Sequence, residues 1–289
     1  MCEMKCWVCG KSKFSRVGGT DMLTLKPEKF KITDSNYGIS LPRYKCCNCG
    51  FIQCDTADVT VFYEGLEDEG YIDSSEQRTL QFVKLLKNVE HDIPVNGKIL
   101  DIGAGSGLFL QEASKHGYYV TGIEPSLFLS NEGKKAGLNI IHGTFPENCP
   151  NEKFNTIFLT DVIEHIADPL PMLERIPDFL ASDGRVIITT PDVSSVLASV
   201  MGRRWWHYRI AHVGYYNKNT LEMIMNRAGF RLVKWKYAKW YFSSRYIVER
   251  LSKYLSFVKP LSRFAPENLM LPLNLFDSRL YVFEVKDNL

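Results

Sequence analysis

The sequence predicts an α/β fold in which a doubly wound, mostly parallel sheet of seven strands follows a small cysteine-rich N-terminal module. Three observations support this prediction. Short apolar runs alternate with amphipathic segments from Lys98 onward, a glycine-rich turn follows the first of those runs, and seven of the eight cysteines precede residue 55. A chain of 289 residues with 45% hydrophobic content is long enough for one domain of ordinary size and a smaller module.

The first 60 residues form the predicted module, which contains two C-x-x-C-G units at residues 6–10 and 46–50. Four thiolates at tetrahedral geometry suit a structural zinc, so we expect a zinc ribbon. The expected ligands are Cys6, Cys9, Cys46 and Cys49. Cys47 adjoins Cys46 and leaves the register ambiguous, and a redox dithiol is the alternative. The long gap between the two units predicts a small hairpin within residues 14–44.

Two absences bear on the cellular compartment. No stretch approaches the roughly 20 apolar residues needed to cross a bilayer, and the N-terminus has no basic segment followed by an apolar one, as a signal peptide would. We therefore expect a cytoplasmic protein. In that reducing compartment, paired cysteines bind metal more often than they form disulfides.

The rest of the chain divides into a linking helical segment, 61–94, and a main domain, 95–289. In the main domain, apolar runs predict strands near residues 98–102, 118–123, 139–142, 154–160, 184–190, 230–237 and 278–285. Amphipathic segments predict helices near residues 107–116, 127–136, 168–180 and 217–228. An aromatic and basic insert, 238–275, separates the last two strands.

A turn rich in glycine follows the first strand of the main domain. The strand ends in Asp101. Gly103, Gly105 and Gly107 follow at once, so the backbone can turn sharply and approach a ligand with no Cβ in the way. A helix that starts near Gly107 directs its free amides into the same crevice. A dinucleotide-binding turn would have its third glycine one place later, at Leu108, so the spacing disfavours NAD.

The motif at residues 99–107 resembles the cofactor-binding turn of the class I S-adenosylmethionine-dependent methyltransferases. In that family an acid at the end of the second strand holds both ribose hydroxyls of the cofactor, and Glu124 fits this position. The resemblance also implies that Gly143 and Thr144 line the adenine pocket and that Asp161 lies near the methionine end. The residues assigned to the cofactor in this way are Asp101, Gly103, Gly105, Gly107, Glu124, Gly143, Thr144 and Asp161.

Three further segments, at residues 160–169, 184–191 and 228–230, resemble the branch that includes ubiquinone-pathway O-methyltransferases and sugar methyltransferases. A zinc ribbon in front of such a core is similar to bacterial enzymes that act on nucleotide-linked sugars. This resemblance implies an enzyme of polysaccharide or secondary-metabolite biosynthesis, with S-adenosylmethionine and a structural zinc as cofactors.

Methyl transfer to a hydroxyl needs a nucleophile placed in line with the donor and a group that removes its proton. We expect that group at the carboxyl edge of the sheet. His165 follows the fourth strand and is the first candidate base, with His212 and Glu164 as the others. If the chain turns helical after Thr160, Asp161 and His165 share a face. The alternative is that His165 only fixes the loop by hydrogen bonding.

Residues 203–216 follow the fifth strand, where this fold commonly closes over its substrate. Aromatic faces can hold a sugar or a planar ring, and arginines can clamp phosphate through two hydrogen bonds. The expected substrate contacts are Arg203, Arg204, Trp206, Arg209, Tyr215 and Tyr216. A packed aromatic loop with solvated charges is the alternative.

Charge favours a phosphate-bearing small molecule of the sugar or nucleotide-linked sugar type as the acceptor. Residues 203–263 contain fourteen Lys or Arg against two acids, so this part should attract anions. One alternative is a ribosomal RNA base methyltransferase. The N-terminal module is not strongly basic, however, and the fourth-strand segment lacks an Asn/Asp-Pro-Pro-Tyr type sequence, so we do not expect nucleic acid as a partner. A non-catalytic interaction protein that retains the fold is the other alternative.

An apolar stripe runs through the insert at near-helical spacing, with basic neighbours. Its members are Tyr241, Phe242, Tyr246, Ile247, Leu251, Tyr254, Leu255 and Phe257. Such a stripe is typical of a core or dimer face, and peripheral contact with a membrane is the second interpretation.

Overall fold

The computed structural model describes residues 4–21, 30–31, 38–55, 61–67, 69, 75–238, 240–252, 257, 260, 263–266 and 269–286. Its strands are β1 Phe14–Gly18, β2 Arg43–Cys46, β3 Ile52–Cys54, β4 Lys98–Ile102, β5 Tyr119–Glu124, β6 Ile140–His142, β7 Phe154–Thr160, β8 Leu180–Pro191, β9 Gly214–Tyr215, β10 Phe230–Tyr237, β11 Trp240–Ser243, β12 Met270–Leu273 and β13 Ser278–Val285. Its helices are α1 Val61–Glu64, α2 Ser75–Val89, α3 Leu108–Lys115, α4 Leu127–Lys135, α5 Leu170–Arg175, α6 Val196–Met201, α7 Lys218–Arg227 and α8 Ser244–Ser252.

A seven-stranded sheet lies at the centre of the main domain, in the order β10-β13-β8-β7-β4-β5-β6. Strands β4 to β8 are parallel, whereas β13 is antiparallel to both β8 and β10. The predicted α/β fold with a mostly parallel seven-stranded sheet is therefore confirmed. In the central strand β7, Ile157, Phe158 and Leu159 are fully buried, because both faces of a parallel sheet are covered.

The predicted helices of the main domain are present, and one of them differs in shape from the prediction. The segment predicted as one helix over residues 168–180 is α5 followed by a 3-10 turn at Ile176–Asp178, because Pro177 has no N–H to continue the helical ladder. The chain also does not turn helical directly after Thr160. Asp161 has a left-handed φ of 53°, and a short 3-10 turn follows at Ile163–His165. Asp161 and His165 therefore do not share a helix face.

The N-terminal module is joined to the main domain through a second sheet, of order β1-β2-β3-β9. The predicted hairpin is present, since β1 pairs antiparallel with β2 and Phe14 lies opposite Cys46. Strand β9 comes from the main domain and pairs with β3, with Ile52 opposite Tyr215. The module is thus docked onto the segment that follows β8 and α6.

The described residues of the insert include a two-stranded antiparallel sheet and a helix. Strand β11 pairs antiparallel with β12, and α8 follows β11 directly. The backbone carbonyl of Tyr241 accepts a hydrogen bond from Gln81 Nε2 on α2 at 3.0 Å. Tyr254 and Leu255 of the predicted stripe lie outside the described residues. None of the described helices has the length and apolar character needed to cross a membrane.

Candidate active site

The glycine turn joins β4 to α3 at the carboxyl edge of the sheet. Gly103, Gly105 and Gly107 all have left-handed φ values, of 76°, 56° and 80°. A Cβ on Gly103 would lie 2.7 Å from Val162 Cγ2, so a side chain there would collide with the loop after β7. The turn therefore needs glycine for both its conformation and its packing.

Glu124 ends β5 and faces this turn. Its Oε2 accepts a hydrogen bond from the Gly105 amide at 2.7 Å, and its Oε1 accepts one from the Ser126 amide at 2.8 Å. Each carboxylate oxygen has a second acceptor site, so the group retains capacity for a diol. Burial raises the pKa of Glu124 to about 7, and the two backbone amides oppose this rise.

Three other predicted cofactor residues lie beside Glu124. Asp101 is buried, its Oδ1 has no hydrogen-bond partner among the described residues, and burial followed by the charge of Glu124 raises its pKa. The Gly143 amide donates to the Glu124 backbone carbonyl at 3.0 Å. Thr144 follows and is held by Asn148, whose Oδ1 accepts from the Thr144 amide at 2.9 Å. We call the glycine turn, Asp101, Glu124 and residues 143–144 the cofactor side.

Asp161 lies where β7 ends, between the cofactor side and the loop of Ile163–His165. Its Oδ1 accepts a hydrogen bond from Thr189 Oγ1 at 2.9 Å. Burial raises its pKa to about 6, and the Thr189 hydrogen bond and the positive charge of Arg78 on α2 oppose this. Arg78 thus adds a cation at the position predicted for the methionine end of the cofactor.

Glu164, His165 and His212 form one cluster, in which one carboxylate oxygen and one ring nitrogen from each histidine lie within 4.8 Å of one another. Glu164 is buried, and burial followed by the charge of Asp161 raises its pKa well above the usual range. Burial followed by the charge of Arg209 lowers the pKa of His165 to about 3. Burial also lowers the pKa of His212 well below its usual value. Near neutral pH both imidazoles are uncharged, and the raised pKa of Glu164 favours its protonated form.

The tautomer of His165 follows from its partners. Its Nδ1 lies 2.9 Å from the Ala211 carbonyl, which accepts hydrogen bonds only, so Nδ1 carries the proton. Tyr63 Oη lies 2.6 Å from the same nitrogen and 3.4 Å from the same carbonyl. Nε2 therefore keeps its lone pair.

Tyr63 belongs to α1, and nothing in the sequence around it indicated a role in the site. Its ring packs edge-on against Phe30 at 5.6 Å, and Phe30 stacks on Phe62 at 4.7 Å. Lys31 follows Phe30, and its backbone carbonyl accepts a hydrogen bond from Arg209 Nη2 at 2.5 Å. Residues 30–31 of the N-terminal module thus hold both Tyr63 and Arg209 next to His165.

The predicted substrate residues separate into three groups. Arg203 and Arg204 are exposed beside the backbone of Gly38. Trp206 and Arg209 are half-buried, and Arg209 is the one whose charge acts on His165. We call Tyr63, Glu164, His165, Arg209 and His212 the acceptor side.

Tyr215 and Tyr216 correct the prediction of substrate contact. Their side chains are only 3% and 1% exposed. Tyr216 packs against Phe51 of the N-terminal module at 4.9 Å, and Tyr215 pairs with β3 through β9. Both residues belong to the packed interface between module and main domain, since Tyr215 lies in one buried cluster with Phe30 and Leu41 and Tyr216 lies in another with Val8 and Phe51.

The four predicted metal ligands come together. The Sγ atoms of Cys6, Cys9, Cys46 and Cys49 all lie within 4.8 Å of one another. The Sγ atoms are 3.6 Å apart both between Cys6 and Cys49 and between Cys9 and Cys46. A tetrahedral zinc with Zn–S bonds of about 2.3 Å separates its sulfurs by about 3.8 Å, so the cluster fits this ion. Cys47 is exposed, in agreement with the predicted register.

Comparisons with known proteins place this site in a family context. A family model described as "Methyltransferase domain" matches residues 75–234. The ubiquinone biosynthesis O-methyltransferase of Coxiella burnetii is 29% identical over 118 residues, which cover 36% of this chain and 48% of that protein. The enzyme of the same name from Azorhizobium caulinodans is 28% identical over 174 residues, which cover 53% of this chain and 69% of the relative. The chain spans about half the length of the first of these relatives.

Among solved structures, a SAM-dependent methyltransferase from Archaeoglobus fulgidus superposes with a TM-score of 0.50 at 16% identity, covering 75% of this chain and 99% of that one. This likeness supports the fold. The N-terminal module lies before the residues that the family model matches.

Proposed function

The chain belongs to the methyltransferase-domain family, and on this premise we propose that it transfers a methyl group from S-adenosylmethionine to a small-molecule acceptor. One observation carries the proposal. The buried carboxylate of Glu124 lies against the glycine turn, 2.7 Å from the Gly105 amide, at the same sheet edge as the uncharged His165. An acid suited to the ribose hydroxyls and a group able to accept a proton thus both follow strands at the carboxyl edge of one sheet.

Residues of the cofactor side are proposed to hold S-adenosylmethionine. Glu124 would accept hydrogen bonds from the ribose hydroxyls, and Gly143 and Thr144 would lie against the adenine. Asp161 and Arg78 suit an amino-acid end that carries both charges. The cofactor supplies an electrophilic methyl group when bound.

The chain's own contribution is to orient the acceptor and take its proton. The Nε2 lone pair of His165 is the best-defined acceptor of that proton, because the Ala211 carbonyl fixes the other nitrogen as a donor. Glu164 accepts a hydrogen bond from Thr190 Oγ1 at 3.0 Å, so we assign it the role of holding the loop of His165. His212 remains the second candidate base.

For the acceptor we propose a hydroxyl-bearing small molecule of the sugar type, with a phosphate. Support comes from the half-buried Arg209, whose charge lies among His165, His207 and His212. The relatives' names, ubiquinone biosynthesis O-methyltransferase, agree with oxygen as the accepting atom and add phenols as a second acceptor class. A structural zinc in the four-cysteine cluster completes the proposal.

Calorimetry with S-adenosylmethionine tests the cofactor, and a methyl-transfer screen tests the acceptor. Saturable binding is expected, and transfer to nucleotide-linked sugars in preference to catechols supports the sugar type. Transfer to catechols alone would show that the acceptor is a phenol and not a sugar. Absence of cofactor binding would contradict the proposed activity and favour a non-catalytic protein that retains the fold. Metal analysis that found less than about half an equivalent of zinc in unoxidised protein would contradict the zinc site.

A ribosomal RNA substrate is tested in the same preparation. Affinity for an RNA fragment that fell steeply between about 50 and 200 mM salt would support an RNA enzyme, and no affinity would exclude that alternative.

A further inference from the structure

Asp277 is a buried acid that the proposed methyl transfer does not use. It immediately precedes β13, whose first residue, Ser278, pairs with Pro191 at the end of β8. The Asp277 carbonyl accepts a hydrogen bond from the Asp192 amide at 2.8 Å, and the residue is only 2% exposed. Because β8 runs parallel to β7 and β4, Asp277 lies at the same carboxyl edge of the sheet as the site.

The side chain of Asp277 contacts the segment of residues 202–212. Its Oδ2 accepts a hydrogen bond from Trp205 Nε1 at 3.2 Å and lies 3.6 Å from His207 Nε2. Trp205 is fully buried, and its ring meets the His207 ring edge-on at 5.0 Å. A carboxylate accepts hydrogen bonds and donates none, so it favours the His207 tautomer that carries the proton on Nε2. One acid thus holds two rings of this segment.

His207 connects the acid to the acceptor side. Its ring stacks on the His212 ring at 5.8 Å, with an angle of 15° between the two planes. The His212 ring in turn meets the His165 ring edge-on at 4.7 Å. Both candidate histidine bases therefore lie in one row of packed rings that begins at Asp277. In a close-packed interior, a rotation of His207 would change the surface against which His212 rests.

The backbone of residues 202–212 is held by local turns. The Trp205 amide donates to the Gly202 carbonyl at 3.1 Å, and the His212 amide donates to the Arg209 carbonyl at 3.2 Å. Such turns fix the path of the chain over a few residues and do not set its distance from the sheet. The hydrogen bond to Asp277 instead ties Trp205 to the main sheet across 72 positions of sequence.

Asp192 is a second buried acid at this edge, and its partners are different. Its Oδ1 accepts hydrogen bonds from the Ser194 amide at 2.9 Å and from Ser194 Oγ at 2.6 Å. Its Oδ2 lies 2.7 Å from Arg279 Nη2. None of the described hydrogen bonds or ion pairs of its side chain reaches residues 202–212. Asp192 is therefore the matched control for the loss of a buried carboxylate.

We propose that Asp277 is a positioning residue of the acceptor side, which acts through His207 on the orientation of His212. The kinetic consequence rests on the proposed methyl transfer, whereas the structural consequence does not. Misplacement of a reacting group by about 1 Å can cost about a hundredfold in rate. Asp277→Asn keeps the shape of the side chain and an acceptor for Trp205, so we expect a smaller loss in kcat, of about tenfold, with KM for the acceptor within about twofold.

Kinetics with a second variant separate this role from a general loss of structure. His207→Phe keeps a stacked ring and removes the nitrogen that faces the acid, and its kcat should also fall about tenfold. The double variant should be no slower than the slower single variant, because both changes break one contact. Asp192→Asn should keep the wild-type kcat, and every variant should bind S-adenosylmethionine like the wild type. A normal kcat in Asp277→Asn, an additive loss of about a hundredfold in the double variant, or an equal loss in Asp192→Asn would overturn the proposal.

A spectroscopic measurement tests the structural consequence without any methyl transfer. Long-range nitrogen–proton correlation spectra of protein labelled in its six histidine rings report the tautomer and surroundings of each ring. Asp277→Asn is expected to shift the ring signals of His207 and His212, and Asp192→Asn is expected to leave them in place. The exposed reference histidines, which neither change should shift, are His91, His116 and His142.

Unshifted His207 and His212 signals in Asp277→Asn would overturn the proposal even if turnover fell. A wild-type protein that transferred no methyl group to any acceptor would contradict the proposed function instead. The spectra would then still show whether Asp277 orients the two histidines, so the two failures are distinguishable.

Discussion

The cofactor side and the acceptor side of the site are assembled in different ways. The cofactor side comes from residues 101–144, at the ends of β4, β5 and β6, and its contacts are largely backbone amides meeting one carboxylate. The acceptor side combines Tyr63, His165 and residues 209–212, and Tyr63 contacts Ala211 across 148 positions of sequence. A short stretch of chain therefore suffices to build the first, whereas the second depends on docking.

The docking runs through a continuous line of backbone hydrogen bonds. The Cys54 amide of β3 donates to the Val213 carbonyl, and the Val213 amide donates to the Glu164 carbonyl, both at 2.8 Å. Glu164 precedes His165 directly. The N-terminal module is thus linked to the candidate base by two hydrogen bonds, and it has no such link to the glycine turn among the described contacts. A change in the module should therefore affect the acceptor side, measured by turnover, and leave the cofactor affinity unchanged.

The largest expected effect is that of Cys46→Ser. Loss of one thiolate would remove most of the stability that the proposed zinc site supplies, so we expect a melting temperature lower by roughly 10 °C or more. Turnover should fall at least about a hundredfold, since the acceptor side loses its support. Calorimetry should show S-adenosylmethionine affinity within about threefold of wild type. Cys47→Ser, at the exposed neighbouring cysteine, is the control and should change none of these. Equal loss of turnover and cofactor affinity would contradict the separation of the sides.

His165→Ala comes next. Removal of a general base lowers kcat by about 10²- to 10⁴-fold, so single-turnover rates should drop by that much with cofactor affinity unchanged. The control His91→Ala replaces an exposed histidine and should change neither the single-turnover rate nor the cofactor affinity. Near-normal turnover would end the assignment of His165 as the base and leave it a hydrogen-bonding role.

Glu124→Gln tests the cofactor side alone. An amide oxygen accepts more weakly than a carboxylate, and a charged hydrogen bond is worth about 1.5–3 kcal/mol, so the Kd for S-adenosylmethionine should rise about 10- to 100-fold. The control Glu132→Gln on α4 removes only an exposed ion pair with Lys135. If kcat at saturating cofactor also fell strongly, the two sides would not be independent.

The pH dependence of cofactor binding is a second test of the role of Glu124. The pKa of Glu124 is raised to about 7 by burial, so its carboxyl is protonated below that pH and charged above it. The charged form has more acceptor sites, and affinity should therefore increase as the pH rises through 7, by up to about tenfold between pH 6 and 8. Calorimetry at both pH values measures this. The Glu124→Gln variant should show a flat profile, and an equal slope in that variant would assign the effect to another group.

Tyr63→Phe has the smallest expected effect. It removes one hydrogen bond to a neutral partner, worth about 0.5–1.5 kcal/mol, so kcat should fall about 2- to 10-fold with little change in KM. The Ala211 carbonyl still fixes the His165 tautomer in this variant. Tyr119→Phe, at an exposed tyrosine, is the control. A loss as large as that of His165→Ala would make Tyr63 a direct participant rather than a positioning residue.

The sequence by itself determined the central sheet, the glycine turn and the four-cysteine cluster. Alternating apolar runs specify strands locally, so β4, β7, β10 and β13 begin and end where the pattern predicts. Gly103 and Glu124 were recognisable because strand-end positions and left-handed turns restrict the residue type. The spacing of the two C-x-x-C-G units is likewise a local property.

Tertiary structure alone decided the acceptor side. Tyr63 reaches His165 only because Phe30 and β3 dock against the main domain, and no periodic pattern records such a contact. The same docking buries Tyr215 and Tyr216, which the sequence had predicted to contact the substrate. The chain does not turn helical at Asp161, whose φ is left-handed and whose amide donates to the Thr189 carbonyl of the neighbouring strand. Strand and turn signals arise within a few residues. These contacts instead form between segments far apart in the chain, and packing between those segments offsets the entropy lost in bringing them together.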